Sequence, residues 1–169
     1  TEIYTLSLHD ALPIYEVNNT LPRAWFVNKT EVVSEEDVWN KIMQPDFDPR
    51  NIAYVPNEVS VSSGSQVSIT HFEKSIHRIT MSTESDGNHF LVLSEVFYPL
   101  RWKAKIDGEE MQTHLVNGIL RGVVVPTGKH TIEFIYDKSA FNKGLTISFV
   151  SFVMALGFIG LGYFGNNKS

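Results

Sequence analysis

The chain has 169 residues, of which 43% are apolar and 20% charged, with a formal net charge of -5. That make-up allows one domain with a sizeable core and excludes both a disordered composition and the basic footprint of a nucleic-acid binder. With no cysteine in the chain, disulfides and thiolate metal sites are excluded as well.

Residues 1–14, TEIYTLSLHDALPI, back-translate codon by codon in a single frame into a common short-read sequencing adapter. The adapter's last base also opens either codon of Tyr15. The segment could otherwise be a short amphipathic element with apolar Ile3, Leu6, Leu8 and Leu12. The codon match assigns it to the adapter, which removes it from fold reasoning. Without Glu2 and Asp10 the balance becomes 14 basic against 17 acidic residues, net -3. The native protein is then expected to begin upstream, with this chain a fragment of it.

Residues 15–144 read as one mainly β domain. Strands are predicted at 24–27, 52–55, 66–72, 76–82 and 90–97, each rich in β-branched and aromatic residues. One short helix interrupts them: Ser34 and Asp37 form a capping signal, Val38, Trp39, Ile42 and Met43 supply an apolar face, and Pro45 follows. Asp107-Gly108 and Asn117-Gly118 are type I′ hairpin signals, which predict a meander of strands at 102–106, 111–116 and 120–125. After a turn at 126–128, residues 131–136 alternate Ile132, Phe134 and Tyr136 with Thr131 and Glu133. Many short strands with regular turns predict a β-sandwich.

Residues 145–164, LTISFVSFVMALGFIGLGYF, contain no charge. At 1.5 Å per residue they are about 30 Å long, the thickness of a bilayer core, so they are predicted to form a single transmembrane helix. Ser148, Ser151, Ala155 and Gly162 share a stripe suited to close helix packing in lipid. Tyr163 and Phe164 stand at the expected interface, and residues 165–169 form a short polar tail.

No catalytic motif stands out, and neither a cofactor nor a metal site is expected. His71, His77, His89, His114 and His130 are scattered without zinc-ligand spacing. Asp46 and Asp48 read as a turn, with a metal pair as the alternative. The sequons at Asn18 and Asn28 read as chance. The cluster that could bind carbohydrate is Tyr98, Arg101, Trp102, Asp107 and Arg121, because aromatic faces stack on sugar rings while Arg and Asp bond hydroxyls or phosphate. The competing reading puts Trp102 and Tyr98 in the core and pairs Arg121 with Glu95 or Asp107.

Several spaced blocks resemble the C-terminal region of YfhO-family bacterial membrane proteins. They are LPRAWFV at 21–27, DFDPRNIAYV at 46–55, FLVLSEVFYPLRWKAKIDGEE at 90–110 and NGILRGVVVPTGKHTIEFIYD at 117–137. The family order of Tyr-Pro, Trp, Asp-Gly, Arg-Gly-Val and Pro-x-Gly-x-His is kept; Arg101 departs from it, standing where the family usually has glycine. The resemblance implies a polytopic protein with a C-type glycosyltransferase-like architecture. Such proteins use lipid-phosphate-linked sugars on the outer face of the membrane and are linked to glycosylation of envelope polymers such as teichoic acids. Its acidic catalytic residues would lie in an early loop outside this chain. The implied partners are the lipid bilayer, upstream transmembrane helices of the same protein, and an envelope glycopolymer or lipid-linked sugar. The implied location is the bacterial cell membrane. A single-pass, membrane-anchored carbohydrate-binding protein is the alternative. Lys138 and Lys143 before the span against Lys168 after it would put the domain inside by a literal charge count, whereas the resemblance puts it outside.

Overall fold

The computed structural model of the protein describes residues 20–61 and 66–166. The segment 1–14 read as adapter and the last residues of the expected polar tail, 167–169, lie outside the described residues. The elements run β1 (Ala24–Val27), β2 (Lys29–Val32), α1 (Val38–Ile42), β3 (Ile52–Val55), β4 (Val67–Lys74), β5 (Arg78–Ser85) and β6 (His89–Val96). They continue with β7 (Trp102–Ile106), β8 (Glu109–Met111), β9 (His114–Val116), β10 (Leu120–Val125), β11 (Gly128–Tyr136) and α2 (Ser139–Asn166).

Two antiparallel sheets form the expected sandwich, in the orders β1-β6-β10-β9 and β4-β5-β11-β7-β8. Alternate residues of their facing strands meet in one core: Leu91, Leu93, Val123 and Val125 from the first sheet, Ile79, Met81, Ile132 and Phe134 from the second. The first sheet is also covered on its outer face. There Trp25, Val27, Phe90 and Val92 pack beneath Ala53, Val55 and Val59. This double burial explains why β6 reads as an unbroken apolar run rather than an alternating one. The covering layer is a parallel pair, β2 with β3, and α1.

Four predicted strands match residue for residue: β1, β3, β7 and β10. The strand predicted at 111–116 is two strands instead. β8 pairs with β7 and β9 pairs with β10, so the chain crosses from one sheet to the other at Gln112-Thr113 and the meander is broken. The strand predicted from 76 starts at Arg78, because Ser75 closes a turn by donating to the Arg78 carbonyl (2.7 Å). β2 is an added strand.

The helix α2 is long and apolar enough to cross a membrane, and its side chains over Ser139–Ile159 are not buried against the domain. It begins at Ser139, six residues before the predicted span. Asp137 caps this earlier start: its carboxylate accepts from Ser139 N (2.8 Å) and Ser139 Oγ (3.0 Å).

Candidate functional site

β11 runs from Gly128 at one end of the sandwich to Tyr136 at the other, where the chain enters α2. Pairing places the starts of β5 and β7 and the end of β4 at the helix-proximal end. In the facing sheet, the end of β6 and the start of β10 lie there too, since β6 leads directly to β7.

Four of the sequence-predicted site residues, Tyr98, Arg101, Trp102 and Arg121, meet or adjoin here. Tyr98 and Pro99 make the turn between β6 and β7, in which the Tyr98 carbonyl accepts from Arg101 N (3.2 Å) and Trp102 N (3.0 Å). The turn delivers Trp102 to the first position of β7, opposite Tyr136 on β11. Their rings meet edge to face at 5.6 Å. From the other sheet, Arg121 lays its guanidinium over Trp102, 4.9 Å from the ring centre, and 5.7 Å from the centre of Phe134. A register shift at Leu120/Arg121 precedes this placement, and Arg121 then shares the inward face with Val123 and Val125. Tyr98 stays half exposed, and Arg101 is held by its backbone, its carbonyl accepting from Asp137 N (2.6 Å).

Arg121 is only 3% exposed, and its Nε and Nη1 find no hydrogen-bond partner among the described residues. Burial pushes its guanidinium below the ordinary value, an effect the charge of Glu95 opposes. Neither expected ion pair forms. Glu95 is taken by Arg23 (3.3 Å) and Lys74. Asp107 lies at the far end of β7, where His130 Nδ1 contacts its Oδ2 at 2.6 Å. Asp107 therefore belongs to the distal hairpin rather than to the Trp102–Arg121 group.

The remaining expectations resolve locally. Asp48 Oδ1 accepts from Arg50 N (3.0 Å), the turn geometry expected of Asp-x-Asp-Pro. Among the described residues no group of three or more His, Cys, Asp or Glu could hold a metal ion. A feature not anticipated from sequence is a crevice of about 100 Å³ between α1 and the Asn117-Gly118 turn, lined by Val33, Val38, Trp39, Tyr54 and Leu115. Its only sequence signal was the apolar face of α1, which reads equally well as core. Chemically, Tyr98 and Arg101 at the surface of this end offer an aromatic face and hydrogen-bond donors, the means of recognition and positioning, while Arg121 is buried.

The family described as bacterial membrane protein YfhO matches this chain over residues 44–148. The chain belongs to that family. No match emerged among curated proteins or among solved structures. The matched stretch contains Tyr98, Arg101, Trp102 and Arg121 and runs from just before β3 into the first turns of α2, while β1, β2 and α1 precede it. The Arg-Gly-Val block has a structural reason within it. A Cβ on Gly122 would stand 2.6 Å from Phe90 Cζ and 2.9 Å from the Leu91 carbonyl oxygen, so the Phe90 ring occupies the space that any larger residue would need.

Proposed function

We propose that this chain is the C-terminal accessory module of a polytopic, glycosyltransferase-like YfhO protein that glycosylates a cell-envelope polymer. The module itself is non-catalytic, with sugar transfer from a lipid-linked donor carried by regions outside it. One observation carries the reading: the family match runs from residue 44 through the later strands into a membrane-length apolar helix, which supports a domain held at a bilayer surface. A lipid-phosphate-linked sugar presents its head group at that same surface. In this reading Tyr98 and Arg101 contact the sugar or its phosphate, while Trp102 and Arg121 hold their turn against the sandwich. The domain faces the extracytoplasmic side.

The test uses the full-length protein in bacterial cells. Tyr98→Ala with Arg101→Ala should lower the sugar content of the envelope polymer while the protein still accumulates in the membrane. Unchanged polymer glycosylation in a strain lacking the whole protein would sink the proposal. Because the 169 residues have no cysteine, Glu84→Cys in a full-length protein cleared of any other cysteine reports the side directly. A membrane-impermeant maleimide should label it on intact cells, and protection from label would place the domain inside.

The half-exposed ring of Tyr98 beside Arg101 favours a second reading, a single-pass anchored domain that binds carbohydrate without an attached enzyme. Binding of the 169-residue chain alone to isolated envelope polymer, in a cell with unaltered polymer sugar, would favour it.

A further inference from the structure

We infer that the helix-proximal end of the sandwich is a membrane-seating surface, on which Ile76, Tyr98 and Leu100 enter the interfacial layer of the bilayer that holds α2. Arg101, Lys138 and Lys143 then meet anionic headgroups. The inference rests on α2 spanning that bilayer.

Eight large apolar side chains are exposed among the described residues outside α2. Five of them, Ile76, Val96, Tyr98, Leu100 and Ile119, lie on loops or strand ends at this one end of the sandwich. Ile76 is 86% exposed at the tip of the β4–β5 turn, and Leu100 is 73% exposed at the tip of the β6–β7 turn. Singly exposed apolar residues need no explanation, but their collection at one end of a domain marks a contact surface.

Chain connection says what covers it. Tyr136 N donates to the His77 carbonyl (2.9 Å) and Asp137 N to the Arg101 carbonyl (2.6 Å), which ties both turns to the helix cap Asp137 and the residue before it. α2 starts at Ser139, and its uncharged run starts at residue 145. Six helical residues rise about 9 Å, little more than the roughly 5–8 Å depth of a headgroup layer. The tips of the two turns are therefore held at the level of the headgroups while the uncharged run spans the core.

Charge agrees with this placement. The chain as a whole is acidic, yet Arg101, Lys138 and Lys143 stand on the segments entering the membrane. The acid among them, Asp137, has its carboxylate engaged as the helix cap. Aromatic and apolar tips flanked by basic residues are the composition that interfacial anchoring uses.

The test reconstitutes the 169-residue chain in phosphatidylcholine vesicles, with and without phosphatidylglycerol. An environment-sensitive label is placed at Ile76→Cys, at Leu100→Cys or, as a control about 25 Å away along β5, at Glu84→Cys. Lipid carrying a nitroxide at the headgroup should quench the labels at 76 and 100 several-fold more than the label at 84. Phosphatidylglycerol should increase that quenching, and the triple variant R101Q/K138Q/K143Q should remove the increase. Labels at 76 and 100 as water-exposed as the one at 84, in a chain that floats with the vesicles, would overturn the seating surface while leaving the membrane helix standing. Quenching that disappears on dilution of the chain in the vesicles would assign the patch to a second copy and overturn it too. A chain that fails to float would remove the membrane reading and this inference together.

Discussion

His130 and Asp107 join two turns at the distal end of the sandwich, with His130 Nδ1 2.6 Å from Asp107 Oδ2 and His130 Nε2 3.0 Å from the Thr127 carbonyl. Both ring nitrogens face acceptors, an arrangement that only the imidazolium satisfies fully. The other carboxylate oxygen of Asp107 accepts from Thr131 N (2.8 Å), and Asp107 N donates back to the Thr131 carbonyl (2.9 Å). This gives Asp-Gly and Pro-x-Gly-x-His, two blocks set apart in sequence, one shared structural task.

The pair makes stability depend on pH. The Asp107 hydrogen bond raises His130 above its ordinary 6.5, and the His130 hydrogen bond lowers Asp107 below its ordinary 3.8. The His130 contribution is fully present below about pH 6.5 and is lost as pH rises through its raised folded value. The Asp107 contribution is present above about pH 3.8 and is lost as pH falls through its lowered one. His130→Gln should therefore cost most between about pH 4 and 6.5, and less above neutrality. Solvent screens the half-exposed Asp107, which holds the cost to about 1 kcal/mol or below. Urea melts of both proteins across that range check this, and a cost independent of pH would refute it.

The two hairpin turns make separable predictions. Asp107 and Asn117 have φ of 52° and 49°, and Gly108 and Gly118 have 91° and 75°, the all-positive pattern of type I′ turns. A Cβ on Gly108 would meet nothing within 4 Å, whereas one on Gly118 would stand 3.1 Å from the Trp39 ring. Valine at either position should destabilise by more than about 1 kcal/mol through backbone strain. Gly118→Val should cost more, because Trp39 has to shift as well. Equal losses in thermal melts would show that Trp39 yields freely.

Arg121 is a buried charge stacked on Trp102 and Phe134 with two nitrogens unsatisfied, so its polar head stabilises little and its stem contributes packing. Arg121→Met should leave stability unchanged or raise it by about 1–2 kcal/mol, and Arg121→Ala should lower it by about 2 kcal/mol or more. Denaturation of each variant in the same detergent gives the comparison. A strongly destabilised methionine variant would mean that the guanidinium makes a bond essential to the fold.

Much of this fold was readable where local chemistry decides it. β7 and β10 are bounded by Asp-Gly, Asn-Gly and proline turns, and their limits match the prediction because the turn residues act within two or three positions. β2, with sequence KTEV, escaped because it is half polar and owes its strand form to a parallel partner twenty-three residues away. The sheet change at Gln112-Thr113 left no local mark either. Met111 packs into one core and Val116 into the other, and only the assembled sheets distinguish them. The pairing of Trp102 with Arg121 was foreseeable as a cluster of suitable residues, and packing of Trp102 against the core was the competing reading. The burial of Arg121 was not foreseen, since it depends on a register shift between β6 and β10. Asp107 separated from that cluster for a simpler reason: five residues of strand span about 17 Å.

The helix allows the last prediction. Ser148, Ser151 and Ala155 share a stripe on α2, and among the described residues nothing packs against it. Ser151 Oγ donates to the Ile147 carbonyl (2.9 Å), which satisfies the hydroxyl inside the helix and leaves the stripe narrow rather than polar. In a polytopic YfhO protein such a stripe lets a neighbouring helix approach closely, and leucines would force the two backbones apart. Ser151→Leu with Ala155→Leu should therefore leave insertion of the 169-residue chain unchanged while reducing the folded yield of the full-length protein. Membrane flotation of the chain and detergent-extracted yield of the full-length protein measure the two effects separately. An undiminished full-length yield would argue that lipid alone surrounds α2, since a solitary anchor accommodates leucine as readily as serine.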